Sequence, residues 1–202
     1  MAFHHRVIPV AMPLGFTDPV LESQKTFRAL LMATSYPGRI VKVVPPTQCP
    51  QGLCEASWCV LLTLADHAVR LWTDLPKGSA VLASIKTFCG STMVERPRDA
   101  ELVMFTKPAE ALSVYDFNLG TEDRPEQGAT LLLQVDSLTE GDGFRLSGPG
   151  IYDKAFLKVA GVPESFWSWR RTLEKRYPLG VDLILTCGSF LAALPRTTHM
   201  GD

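Results

Sequence analysis

Two stretches of this 202-residue chain leave little freedom in how it folds: Ala129–Leu138, where Leu131, Leu132 and Leu133 follow one another, and Val181–Cys187, which reads Val-Asp-Leu-Ile-Leu-Thr-Cys. Successive side chains of a strand point to opposite faces, so a run of adjacent apolar residues offers apolar surface on both sides. Strands of that kind belong in the middle of a sheet covered on each face.

The segments around them supply the covering. Asp18-Pro19 is a helix start, with a carboxylate to cap free amides and a proline suited to the first helical position. Val20, Phe27, Leu30 and Leu31 then recur on one side, which predicts an amphipathic helix over 18–35 ended by Tyr36-Pro37-Gly38. Residues 39–44 read as a strand, 53–65 as a well-buried helix, 70–74 as a short strand, 77–88 as a helix and 101–106 as a further strand. Glu140-Gly141-Asp142-Gly143 predicts a hairpin turn into a strand at Phe144–Ser147. Residues 163–177 read as a helix, and the chain from Pro195 onward as irregular. Helices alternating with doubly apolar strands predict one α/β domain over residues 1–202, a three-layer α/β/α sandwich around a mixed sheet.

Charge narrows the function classes. The formal net charge is −1 with acids and bases interspersed, which argues against a nucleic-acid or anionic-membrane footprint. No apolar run approaches the roughly 18–20 residues that span a bilayer, and Pro9 and Pro13 interrupt the apolar N-terminal stretch, so a cytoplasmic location is expected. Five irregularly spaced cysteines (Cys49, Cys54, Cys59, Cys89, Cys187) fit reduced thiols packed as small hydrophobes. They lack the close Cys-x2-Cys pairs of structural zinc sites, and no metal or cofactor is expected.

Several segments carry possible chemistry. In Ser147-Gly148-Pro149-Gly150, backbone amides freed by glycine could cradle an anion, with Arg145 close by. A turn out of an edge strand is the simpler reading and weighs more, because no complete phosphate-loop fingerprint is present. Leu194-Pro195-Arg196-Thr197-Thr198 offers a guanidinium and two hydroxyls to an anion or to a partner's carboxylate; a solvated tail is the alternative. Cys187-Gly188-Ser189 stands where a strand meets a loop, a common place for a nucleophile, but no histidine (His4, His5, His67, His199) is tied to it by sequence. His67, after a buried helix, reads as a helix-end residue. On the 163–177 helix, Phe166, Trp169 and Leu173 share a core-facing side. Trp167 and Arg171, four apart, form either an exposed interaction face or a covered tryptophan with arginine lying over it. No assembled catalytic constellation emerges.

In chain order, Phe16-Thr17-Asp18-Pro19-Val20, Ser23–Arg28, Pro37-Gly38-Arg39-Ile40, Leu61–Asp66, Pro125-Glu126-Gln127-Gly128-Ala129-Thr130, Leu146–Ile151, Pro178–Leu185 and Leu194–Thr198 resemble the PhnH family of the bacterial carbon–phosphorus lyase system. The ordered set spans nearly the whole chain. The resemblance implies a fold like the large domain of pyridoxal-phosphate-dependent transferases without that cofactor's site. It also implies a homodimer when isolated, and assembly with the G, I and J subunits. The family is linked to the step that displaces adenine from a nucleoside triphosphate to give ribose 1-phosphonate 5-triphosphate. It brings no catalytic residues to carry over. An accessory subunit is therefore expected. The alternatives are a subunit that binds nucleotide or phosphonate through Arg145, Ser147, Gly148, Gly150 and Arg196, and a stand-alone α/β enzyme.

Overall fold

The computed structural model describes residues 15–111 and 116–201. Asp18 caps the first helix: its Oδ1 accepts the Leu21 amide at 3.0 Å, while Glu22 Oε1 accepts the Asp18 amide at 3.1 Å. With Pro19 in the first position, where a missing N–H costs no hydrogen bond, α1 runs Pro19–Ser35. Cys54 and Ser79 cap α2 (Glu55–Leu64) and α3 (Ala80–Cys89), each side chain accepting an amide of its own helix. The remaining helices are α4 (Pro108–Ala111) and α5 (Glu164–Leu173).

The strands are β1 (Val41–Lys42), β2 (Arg70–Thr73), β3 (Thr92–Met93), β4 (Leu102–Phe105) and β5 (Thr130–Gln134). Then come β6 (Ser137–Ser147), β7 (Ala155–Ala160), β8 (Asp182–Cys187), β9 (Phe190–Leu194) and β10 (His199–Gly201). Seven of them form a mixed sheet in the order β1-β9-β8-β5-β4-β2-β3, with β10-β6-β7 as a small second sheet. From β3 to β8 the strands of the large sheet are parallel; β9 turns back against β8, and β1 against β9.

The doubly apolar strands sit in the middle, paired in parallel register Leu131↔Leu183 and Leu133↔Leu185. Leu132 and Ile184 face α1 and α2, in a core with Leu30, Trp58, Leu61 and Ile85. Leu131, Leu133, Leu183 and Leu185 face the other way, into a core with Phe144, Leu157, Phe166 and Trp167. Mixed α/β architecture with both faces covered is what those strands demanded. The second cover, however, is the small sheet together with α5.

Several local expectations need correction. The segment Glu140–Gly143 does not turn a hairpin back on β5. It lies inside the long strand β6, which pairs with β7 and shifts register between Ser137 and Asp142. The stretch from Pro195, expected to be irregular, contains β10, β9 just before it was not foreseen, and the predicted strand over 39–44 shrinks to two residues. On α1 the buried residues are Thr26, Leu30 and Ala33, whereas Val20, Phe27 and Leu31 are 77%, 46% and 50% exposed. Of the predicted α1 stripe only Leu30 is buried, and the helix packs instead through Thr26, Leu30 and Ala33.

Central burial sets the stability expected of each strand. Leu132→Ala, at a fully buried position, should cost about 2–5 kcal/mol in urea unfolding, whereas Phe156→Ala on the open side of β7 should stay within about 0.5 kcal/mol.

Candidate functional site

Where the large sheet passes into the small one, Arg196 is the organising side chain. Asp182, the first residue of β8, accepts the Arg196 backbone amide at 2.8 Å and its Nε at 3.2–3.3 Å, and pairs with Nη2 at 2.5 Å. Nη1 donates to the Pro125 carbonyl. A side chain on Gly128 would come within 2.5 Å of the Gly180 carbonyl and 2.9 Å of Arg196 Nη1, so only glycine leaves room for the guanidinium. Beneath it Arg170, 1% exposed, donates from Nη2 to the Pro195 carbonyl at 2.9 Å. Burial lowers the Arg170 pKa, an effect that the nearby Glu174 and Asp182 charges oppose. Three of the segments that carry the family resemblance, around Pro125, Pro178 and Leu194, thus meet at one ionic junction.

A fourth joins them. Ser147 is opposite His199 in the β6–β10 pairing, Arg145 is opposite Gly201, and the Gly148 Cα packs beside the Thr197 carbonyl. Gly150, at φ +84, lies so close to the Ser35 carbonyl that a Cβ there would stand 2.1 Å from it. This turn therefore also seats the end of α1. Between the two segments opens a cleft of about 350 Å³ lined by Pro149, Glu174, Tyr177, Arg196, Thr197 and His199. His199 Nδ1 lies 3.0 Å from Glu174 Oε2, and Glu174 Oε1 accepts the Met200 amide.

The structure thus brings Ser147, Gly148, Gly150 and Arg196 to one neighbourhood. Arg145 is an exposed strand residue beside it. The backbone of Gly148 and Gly150 is taken up by close approach, and the guanidinium of Arg196 by Asp182 and Pro125. What the sequence could not show was the partner, because Asp182 precedes Arg196 by a whole strand pair.

At the other end of β8, Cys187 Sγ donates to the Asp136 carbonyl at 3.3 Å, and burial raises its pKa. Ser189 Oγ donates to the Glu55 carboxylate. Glu55 is a basic group that a search confined to histidines misses. It stands in the first turn of α2, where a carboxylate is favoured by the helix dipole. The bond also pins the β8–β9 turn to the helix, beside the Ala56 amide donating to the Gly188 carbonyl at 2.8 Å. Burial pushes the Cys49 thiol up to about 11 and those of Cys59 and Cys89 to about 12, so all three stay protonated near neutral pH.

Trp167 is fully buried against Phe144, with ring centroids 4.7 Å apart. The Arg171 guanidinium lies 5.8 Å from the Phe144 ring centroid and pairs with Glu164 at 3.1 Å. The exposed Trp167–Arg171 face is therefore not formed, because α5 is covered by the small sheet on the side where Trp167 points. His67 is exposed in the turn after α2; His4 and His5 lie outside the described residues. Among the described residues no group of three or more His, Cys, Asp or Glu is placed to hold a metal ion, and no helix is long and apolar enough to cross a membrane.

Fold and site define an α/β domain with a mixed sheet, whose charged groups near the candidate clefts are engaged in joining its own loops. The pattern of the bacterial phosphonate metabolism protein family (PhnH) matches residues 14–201. The PhnH subunit of alpha-D-ribose 1-methylphosphonate 5-triphosphate synthase from Rhizobium meliloti (strain 1021) is 33% identical over 191 residues, covering 92% of this chain and 94% of that protein. HtxG of Stutzerimonas stutzeri, described as a putative C-P lyase subunit protein, is 38% identical over 179 residues, covering 88% of this chain and 85% of its own length. The chain belongs to the PhnH family.

Removing the guanidinium leaves a half-buried carboxylate without its counter-charge. Arg196→Met should destabilise the chain by about 2–4 kcal/mol in chemical unfolding, and Arg196→Met combined with Asp182→Leu by clearly less than the sum of the two single changes. Additive losses would show that the pair is not coupled.

Proposed function

We infer that this chain is an accessory subunit of a phosphonate-processing complex. It acts at the step that forms ribose 1-phosphonate 5-triphosphate from a nucleoside triphosphate and a phosphonate, and supplies contact surface and rigidity instead of a reacting group. The observation that carries this reading is the match, over nearly the whole chain, to proteins named as subunits. The ionic junction supports it, since Arg196 and Asp182 use their charges within the fold. The subunits expected as partners are G, I and J, with a homodimer when the chain is isolated and a cytoplasmic setting. The mixed sheet with helices is compatible with the likeness to the large domain of pyridoxal-phosphate-dependent transferases, and the chain is proposed to work without a cofactor of its own.

The surface offered to partners is better placed on α1 than at Trp167. Val20, Leu21, Phe27, Leu31 and Tyr36 are exposed along one helix, with Val44 beyond it at 69%. Val20, Phe27 and Leu31 recur at helical spacing on one side of α1, and exposed apolar side chains grouped in that way are typical of contact sites. Co-expression with the other subunits and mass measurement of the purified assembly should show this chain incorporated. Phe27→Asp with Leu31→Asp should release it while leaving its own circular dichroism unchanged. A chain that never co-purifies and is monomeric alone would refute the subunit reading.

A second reading, direct binding of nucleotide or phosphonate beside Ser147–Gly150, is favoured by the cleft of about 350 Å³ between that turn and Arg196–Thr197. Its probe is ATP titrated against the full chain. Binding lost on His199→Gln, with unfolding unchanged, supports it, and an unaltered isotherm counts against it.

A further inference from the structure

An open sheet edge exposes a row of unpaired N–H and C=O groups, and folded chains blunt such edges with short, charged, bulged or proline-containing strands. Among the described residues the two sheets end in four edge strands, and three of them follow that rule. The large sheet ends in β1 and β3, two residues each, and one side of the small sheet ends in β10, three residues long. The fourth edge is β7, which runs for six residues, Ala-Phe-Leu-Lys-Val-Ala, without a proline.

The outward side of this strand is open. Among the described residues the backbone of Ala155–Val159 pairs only with β6. The Val159 carbonyl points to Gly141 of β6, 2.4 Å from where a Cβ on that glycine would stand. In an antiparallel strand the N–H and C=O of one residue share a side, and the sides alternate along the chain. Leu157 and Val159 therefore turn their backbone groups toward β6, and Phe156 and Lys158 turn theirs away. The side chains alternate as well. Leu157 and Val159 are buried in the core under the small sheet, whereas Phe156, 70% exposed, and Lys158 leave from the outer face. On β6, Phe156 is opposite Arg145, and Lys158 is opposite Gly143, which has no side chain to meet it.

This edge is complementary to itself. With a two-fold axis at Leu157, Phe156 of each copy stands opposite Lys158 of the other, and Ala155 opposite Val159 on the core side. Each aromatic ring then meets an ammonium across the strands, a favourable cation–π pair. Phe156 and Lys158 are also the residues whose backbone groups face outward, so the same register closes the backbone bonds. An axis at Lys158 would set two ammoniums opposite each other, and an axis at Phe156 would set Lys154 against Lys158. Like charges directly opposite are destabilising. We propose that β7 is the surface through which two copies of this chain join, antiparallel about Leu157, so that their small sheets form one continuous sheet. Such an interface uses the same patch on both copies, as two-fold dimers require, and adds strand to strand as edge recognition does elsewhere. It rests on the homodimer reading above and gives that dimer its surface, with α1 left for other subunits.

Sedimentation equilibrium of the full chain measures the dimer dissociation constant, and hydrogen exchange reads the edge itself. The chain should be a dimer whose Phe156 and Lys158 amides gain protection as concentration rises. Phe156→Lys sets lysine opposite lysine twice per dimer and should weaken it by about tenfold. Adding Lys158→Glu restores opposite charges in that register and should recover most of the loss, which a misfolded strand would not allow. Phe27→Asp with Leu31→Asp on α1 should leave the constant unchanged. A chain that is monomeric at every concentration overturns the homodimer reading and this surface together. A dimer indifferent to Phe156→Lys, or one that dissociates in the α1 variant, overturns the β7 surface and leaves the homodimer standing. If the chain is monomeric alone and Phe156→Lys blocks its entry into the assembled complex, the edge belongs to another subunit and self-pairing is refuted.

Discussion

At the amino end of β8 one ion pair, Asp182 with Arg196, ties the large sheet to the linker through which the chain crosses to the small one. β9 belongs to the large sheet and β10 to the small one, and the residues between them pass through Arg196. The pair is only partly solvated, with the arginine side chain 13% exposed, so its attraction is weakly screened and its loss uncompensated. Arg170 supports it from below through the Pro195 carbonyl, and the Pro125 carbonyl accepts from Nη1 of Arg196. Gly128 and Gly180 supply the space. Several segments distant in sequence are therefore locked by one cation, and the small sheet is kept over the apolar face of β5 and β8.

That arrangement gives a physical meaning to the family resemblance. The segments around Pro125, Ser147, Pro178 and Leu194 look, one by one, like unrelated turns. In space they form one neighbourhood: a glycine notch, an aspartate at a strand start, an arginine between two strands and a turn packed on Thr197. Their composition follows from the geometry of a junction, without any need for a nucleophile. The groups at the opposite end of β8, Cys187 and Ser189, are likewise tied to Asp136 and Glu55.

The elements governed by local rules were legible in the sequence. Asp18-Pro19 started α1 as expected, and the leucine run of β5 and the apolar stretch of β8 became the paired centre of the sheet. Elements defined by long-range pairing were not. β10 gains its identity from β6, far back along the chain, and β9 carries the distant edge strand β1, although β7 and β9 also fold back on the strands just before them. Glu140–Gly143 carries turn residues, yet β6 absorbs them as an irregularity in a continuous strand. Trp167 sits on a helix whose second face is covered by that same sheet, which periodicity alone could not reveal. The anion-binding look of Arg196 was readable; that Asp182 satisfies it was not, since the pairing exists only once β8 and β9 are side by side.

The proposed accessory subunit works through contact and stiffness, with Arg196, Asp182, Cys187 and Ser189 all engaged within the fold. Turnover of the assembled phosphonate-processing complex, carrying Cys187→Ala and Ser189→Ala together in this chain, tests that most directly. Unchanged turnover in a complex of normal mass is the predicted result. A complex that assembles normally but no longer converts its substrate would contradict it.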